Sequence, residues 1–83
     1  MDEGIRQTIK EYILKEFLPG ERPEALEDAT PLITGGILDS IATLKLVAFL
    51  EERYDIRLEA HEANVEHMNS LSQIVELIES KLE

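Results

Sequence analysis

The sequence has no cysteine and no tryptophan, two tyrosines, two phenylalanines, and only 8 Lys and Arg against 18 Asp and Glu. Without cysteine there is neither a disulfide framework nor a thiolate metal site. The formal net charge of −10 argues against nucleic acid as a partner, since phosphate would be repelled. It favours solubility and partners that carry basic patches. No apolar run reaches membrane-spanning length. The acidic start Met1-Asp2-Glu3 lacks the apolar stretch of a signal peptide, so a cytoplasmic location is expected. Familiar reactive motifs are missing as well. There is no Gly-x-Ser-x-Gly elbow, no Gly-Lys-Ser/Thr phosphate loop and no Asp-rich calcium loop. His61 and His67 are not spaced as an i, i+4 pair and read as surface histidines rather than metal ligands. The chain is not expected to be an enzyme. At 83 residues it reads as one domain spanning 1–83, small enough that its core must be packed economically.

What is present is helical periodicity. Asp2 suits an N-cap, and Ile5, Ile9, Tyr12, Ile13 and Phe17 follow at helical spacing, which predicts an amphipathic first helix. Pro19 disfavours helical geometry at Leu18, so this helix ends there, and Gly20 completes the exit. Near the other end, Ser70-Leu71-Ser72-Gln73 has the form of a capping box. Leu71, Ile74, Val75, Ile78 and Leu82 then give the stripe of a last helix. Asn64 can cap a brief third helix containing Val65 and Met68, with Met68 read as core. Ile56 and Leu58 are expected to plug the core where the chain turns after Tyr54.

Between the first helix and residue 39 the chain has no clean period, and Pro23, Pro31, Gly35 and Gly36 punctuate it. A loop this long in a small domain is usually functional or pinned down. Leu26, Leu32 and Ile33 are the expected anchors, and a short helical turn near Pro23–Asp28 is compatible with the sequence. The loop delivers Gly35-Gly36-Ile37-Leu38-Asp39-Ser40-Ile41. Asp39 and Ser40 are both good N-cap types, so one of them starts a second helix running from about Ser40 to Tyr54. A serine there sits beside unpaired backbone N–H groups and the positive end of the helix dipole, a favourable place for a phosphate. A plain capping serine has the same local sequence. Within the helix, Leu46, Val47, Phe49 and Leu50 are expected in the core. Ile41, Leu44 and Ala48 form a second apolar strip beside Ser40, which marks an interaction site if it is exposed and is core if this small bundle buries a broad face of the helix.

Leu32-Ile33-Thr34-Gly35-Gly36-Ile37-Leu38-Asp39-Ser40-Ile41 resembles the attachment-site signature of acyl carrier proteins and their peptidyl and aminoacyl carrier relatives. The likeness continues through Leu46, Leu50, Glu51, Glu52 and Tyr54, through Ile56 and Leu58, and through Met68, Ser70 and Leu71, and so covers nearly the whole chain. It implies an all-α bundle of three main antiparallel helices plus one short helix. It also implies phosphopantetheine, taken from coenzyme A by a phosphopantetheinyl transferase and esterified to Ser40, with Asp39 and Gly36 completing the motif. Acyl or aminoacyl groups would travel on that arm as thioesters, and the protein would act as a monomer. Its partners would be an acyl or aminoacyl ligase and downstream acyl-processing enzymes. They would read Ile41, Leu44 and Ala48, together with acidic residues such as Glu51 and Glu62.

One departure bears on the pathway. Carriers of bacterial fatty-acid synthesis are acidic early in the second helix, where Ala42 and Lys45 stand here. The resemblance therefore points to a discrete carrier in a specialised lipid or natural-product pathway rather than to housekeeping fatty-acid biosynthesis. A peptidyl, aminoacyl or D-alanyl carrier is the alternative. A reading of a different class is an unmodified helical adaptor that docks through Ile41, Leu44 and Ala48.

Overall fold

The computed structural model describes residues 2–82, with side chains described from residue 4 onward. Four α-helices follow one another: α1 (Asp2–Phe17), α2 (Ser40–Tyr54), α3 (Val65–Met68) and α4 (Leu71–Leu82). Short 3-10 turns lie at Pro23–Ala25 and Ala60–Glu62. Three long helices and one short one thus make the expected all-α bundle, and no strand occurs among the described residues. No helix among the described residues is long and apolar enough to cross a membrane. The expected cap at Asp2 lies outside the described side chains.

Helical periodicity decides what is inside. On α1, Ile9 and Ile13 are fully buried, with Ile5, Tyr12, Leu14 and Phe17 packed partly against them. On α2, the i, i+4, i+8 series Ala42, Leu46, Leu50 is buried. Val47 and Phe49, expected beside Leu46 and Leu50, are only half-buried and flank this strip. Phe49 stacks on Tyr12 with ring centroids 4.0 Å apart, which ties α2 to α1. On α4, Leu71, Ile74, Val75, Leu77 and Ile78 are buried. The expected stripe differs at two places. Leu82 is 49% exposed at the helix end, and Leu77 is inside, because α4 is covered on a wider arc than a single stripe. Met68 is fully buried and Leu58 nearly so, while Ile56 is half-buried.

Caps set the helix ends. Asn64 caps α3 by accepting from the Glu66 N–H at 3.0 Å. The capping box at Ser70 forms with a shift. Ser70 Oγ accepts from the Gln73 N–H at 3.2 Å, but Gln73 Oε1 reaches the Asn69 N–H, at 2.8 Å, rather than that of Ser70. At the end of α2, Asp55 takes the left-handed conformation (φ 54) usual after a helix, where Asp is better tolerated than most residues.

The long loop is tied down throughout. Leu26 and Leu32 enter the core as expected. Ile33 stays half-buried, and Leu38 takes the third anchoring position at 2% exposure. The Leu38 N–H donates to the Leu32 carbonyl at 2.9 Å, closing residues 32–38 on themselves. Arg6 pairs with Asp28, and the Ser72 N–H donates to the Asp28 carbonyl at 3.2 Å. The main fastening is Asn69, between α3 and α4. Its carbonyl accepts from the Leu32 N–H at 2.7 Å. Its side-chain Oδ1 accepts from the N–H groups of Ile33 and Thr34 at 2.8 and 2.9 Å.

Truncating this clamp strands one half-buried amide and frees an exposed one. Asn69→Ala should cost about 1–3 kcal/mol, the range for an unmet polar group. The loss is read as a lower denaturation midpoint. Faster hydrogen exchange at Ile33 and Thr34 than at the α1 core amides should accompany it.

Candidate functional site around Ser40

The loop enters α2 through two glycines with different tasks. A Cβ on Gly35 would stand 2.2 Å from the Pro31 carbonyl oxygen, so no side chain fits there. Gly36 has φ +84, a conformation that L side chains rarely adopt. These two residues turn the chain so that Leu38 points into the core and Asp39 meets the helix axis.

Asp39 is the N-cap. It is extended (φ −84, ψ −172), and its Oδ1 accepts from the Ala42 N–H at 2.8 Å. Its carbonyl accepts from both the N–H and the Oγ1 of Thr43, at 2.9 and 2.8 Å. The sequence left open which of Asp39 and Ser40 caps the helix, and this geometry decides it. Ser40 is the first helical residue and exposed. Every side-chain hydrogen bond at this helix start is made by Asp39 or Thr43, and none by Ser40. The cap uses the Ala42 amide and leaves those of Ser40 and Ile41 without an intrahelical acceptor. An exposed hydroxyl beside free N–H groups at the positive end of a 15-residue helix suits an ester to phosphate.

Beside Ser40 lies an open cleft of about 540 Å³. It is lined by Ile33, Leu38 and Asp39 of the loop, by Ser40, Thr43 and Leu44 of α2, and by Ala63, Asn64 and Val65. Around its mouth Ile41 is 66% exposed, Leu44 68% and Val65 42%. Ala48 is exposed one turn further on. The apolar strip read from the sequence is therefore on the surface.

Three other residues expected to matter to a partner are placed differently. Ala42 is buried at 8% exposure, so of the pair Ala42 and Lys45 only Lys45 stands on the surface. The Glu51 carboxylate accepts from the Leu58 N–H at 2.8 Å, holding the segment after α2. Glu62 caps its own turn through the Glu59 N–H and pairs with Lys81 at 2.8 Å. The hydrogen bond from Lys81, and after it the one from the Glu59 N–H, hold the Glu62 carboxyl below the usual carboxylate range. Both carboxylates have work within the fold. Asn69 and Leu38, which hold the loop, were not among the anchors expected from the sequence. Asn69 bonds across 36 residues, and nothing local announces that.

No family model matches the chain. Among curated proteins, the D-alanyl carrier protein of Streptococcus sanguinis is 40% identical over 72 residues, covering 87% of both chains. The chain belongs to the acyl carrier protein family. The D-alanyl carrier protein of Streptococcus gordonii is also 40% identical, over 45 residues, 54% of this chain and 57% of that one. Among solved structures, a chain in the crystal structure of an FAD-dependent dehydrogenase superposes with a TM-score of 0.76 at 31% identity. The match covers 84% of this carrier and 97% of that chain.

Two outcomes follow for this carrier domain. Asp39→Ala removes the cap and should cost about 1 kcal/mol, whereas Ser40→Ala should leave the thermal midpoint nearly unchanged. The Glu62–Lys81 pair should show in pH dependence. A carboxyl with a lowered folded-state pKa contributes stability above its unfolded value and loses it as pH falls through the folded one. The midpoint difference between native protein and Lys81→Met should be full at pH 7. It should shrink on acidification as pH falls from the ordinary glutamate value, about 4.3, through the lowered folded-state one.

Proposed function

We propose that this protein carries an aminoacyl or short acyl group as a thioester on a phosphopantetheine arm attached through Ser40 Oγ. The observation that carries the reading is the division of labour at the start of α2. Asp39 caps the helix, and the Ser40 hydroxyl is exposed and unused beside an apolar cleft. The residues present fit the group. The hydroxyl can take the phosphate, the free amides of the first turn can face it, and the cleft has room for the start of the arm. The arm would come from coenzyme A through a phosphopantetheinyl transferase, and bound there it supplies the thiol that holds the cargo. The chain itself presents the serine and a docking surface, and catalysis belongs to its partners. The D-alanyl carrier relatives favour D-alanine or a similar small amino acid as cargo over the specialised lipid pathway. The loading enzyme is then an ATP-dependent aminoacyl ligase.

Co-expression with a phosphopantetheinyl transferase followed by intact mass measurement tests the reading. Native protein should gain the mass of the arm in full, and Ser40→Ala should gain none while keeping its helical circular dichroism. Native protein that stays unmodified would instead support an unmodified adaptor. A modified Ser40→Ala would place the attachment elsewhere.

A further inference from the structure

Residues 59–66 form a strap between two buried anchors. Leu58 before it is nearly buried and gives its N–H to Glu51, and Met68 after it is fully buried. No residue of 59–66 is itself buried, though Ala63 packs partly against the core. Apart from one ion pair, the hydrogen bonds that the structure shows for this stretch stay within residues 59–68, from the turn of 59–62 to the Asn64 cap. That ion pair joins the strap to α4: Glu62 Oε1 meets Lys81 Nζ at 2.8 Å. The two side chains are 15% and 24% exposed, so water screens the pair only in part. The packing against α4 is open. A cleft of about 250 Å³ is lined by residues of the strap and of α4, among them Glu62, Glu66, Gln73 and Glu76.

The same strap lines the Ser40 cleft. Ala63, Asn64 and Val65 border it together with Thr43 and Leu44 of α2. The α2 residues are fixed by a helix with three buried side chains, whereas the strap is held by its two ends and by Lys81. Segments with few buried contacts are the first to open. Where the strap lies therefore sets the width of the cleft. We propose that the Glu62–Lys81 pair is the catch of this strap, and that Lys81, on the last turn of α4, is a positioning residue for the cleft beside Ser40. With the pair made, residues 63–65 stay on the cleft and cover the start of an arm attached to Ser40. With it broken, the strap lifts between Leu58 and Met68, and the arm loses its apolar neighbour Val65. The arm's part in this rests on the carrier reading above, and the catch itself does not.

The test is NMR on protein labelled for backbone and methyl signals, at a temperature where every variant is folded. Relaxation dispersion reads the minor, open population of the strap. Lys81→Met and Glu62→Gln should each raise that population at residues 63–65 about three- to tenfold over native protein. Glu62→Gln keeps an oxygen for the Glu59 N–H and loses the charge. The double variant should exceed neither single one, and Lys81→Arg should stay near native. Ile9 and Ile13 in the core should show no change. In the holo protein, made with a phosphopantetheinyl transferase, the arm's dimethyl group next to its phosphate should touch the Val65 methyls. Those contacts should weaken in Lys81→Met and return in Lys81→Arg. A strap no more mobile in Lys81→Met, a rise that Ile9 and Ile13 share, or effects that add in the double variant overturn the catch. A strap that opens while the arm's contacts stay unchanged overturns Lys81 as a positioning residue for the cleft. Native protein that takes up no arm defeats the carrier reading, and the strap measurements on unmodified protein then still decide the catch.

Discussion

Presentation of Ser40 depends on the carboxamide of Asn69. Residues 26–38 form no helix or strand, and turns within the loop satisfy only part of their backbone, so the remaining amides must find acceptors elsewhere. Asn69 supplies two oxygens for three bonds, its carbonyl accepting from Leu32 and its Oδ1 from both Ile33 and Thr34, three consecutive amides. With those amides held, Leu32 and Leu38 can enter the core side by side and the Gly35-Gly36 turn can close between them. The direction in which α2 begins follows from that closure. Asn69 is itself positioned by Gln73 and by the junction of α3 with α4. The short third helix thus matters less for what it buries than for where it leaves this one side chain.

A second economy lies at the helix start. Capping and modification compete at a serine, because a single hydroxyl oxygen that accepts from the helix amides is turned toward the backbone. Two adjacent cap-type residues remove the competition. Asp39 takes the structural task, which leaves the Ser40 hydroxyl exposed without a hydrogen bond to the helix start and its replacement cheap in stability. The acidic surface is arranged in the same spirit. Glu51 and Glu62 fasten the segment between α2 and α3, while the surface around Ser40 carries almost no charge. The net charge of −10 favours solubility, while Ile41 and Leu44 beside Ser40 are exposed apolar residues.

The elements set by local physics were legible in the sequence. The four helices, the stop before Pro19, the cap at Asn64, burial of Met68 and the exposed pair Ile41 and Leu44 all follow from 3.6-residue periodicity, cap chemistry and the geometry of glycine and proline. Those act over four or five residues and are written in the order of the chain. The placement of Ser40 at a helix start was legible for the same reason.

What tertiary structure alone decided is what depends on neighbours far away in sequence. Ala42 is inside because α2 lies in the bundle at one particular rotation. Leu77 is inside and Leu82 outside because α4 is covered by α1, α2 and α3 along its middle and not at its end. Glu51 and Glu62 read as surface charge until the fold brings Leu58 and Lys81 to them. Asn69 looks like an ordinary helix-end residue until the loop, 36 residues earlier, arrives on its carboxamide. Periodicity records which residues are apolar, but hydrogen bonds between distant segments leave no period, so only the assembled bundle reveals them.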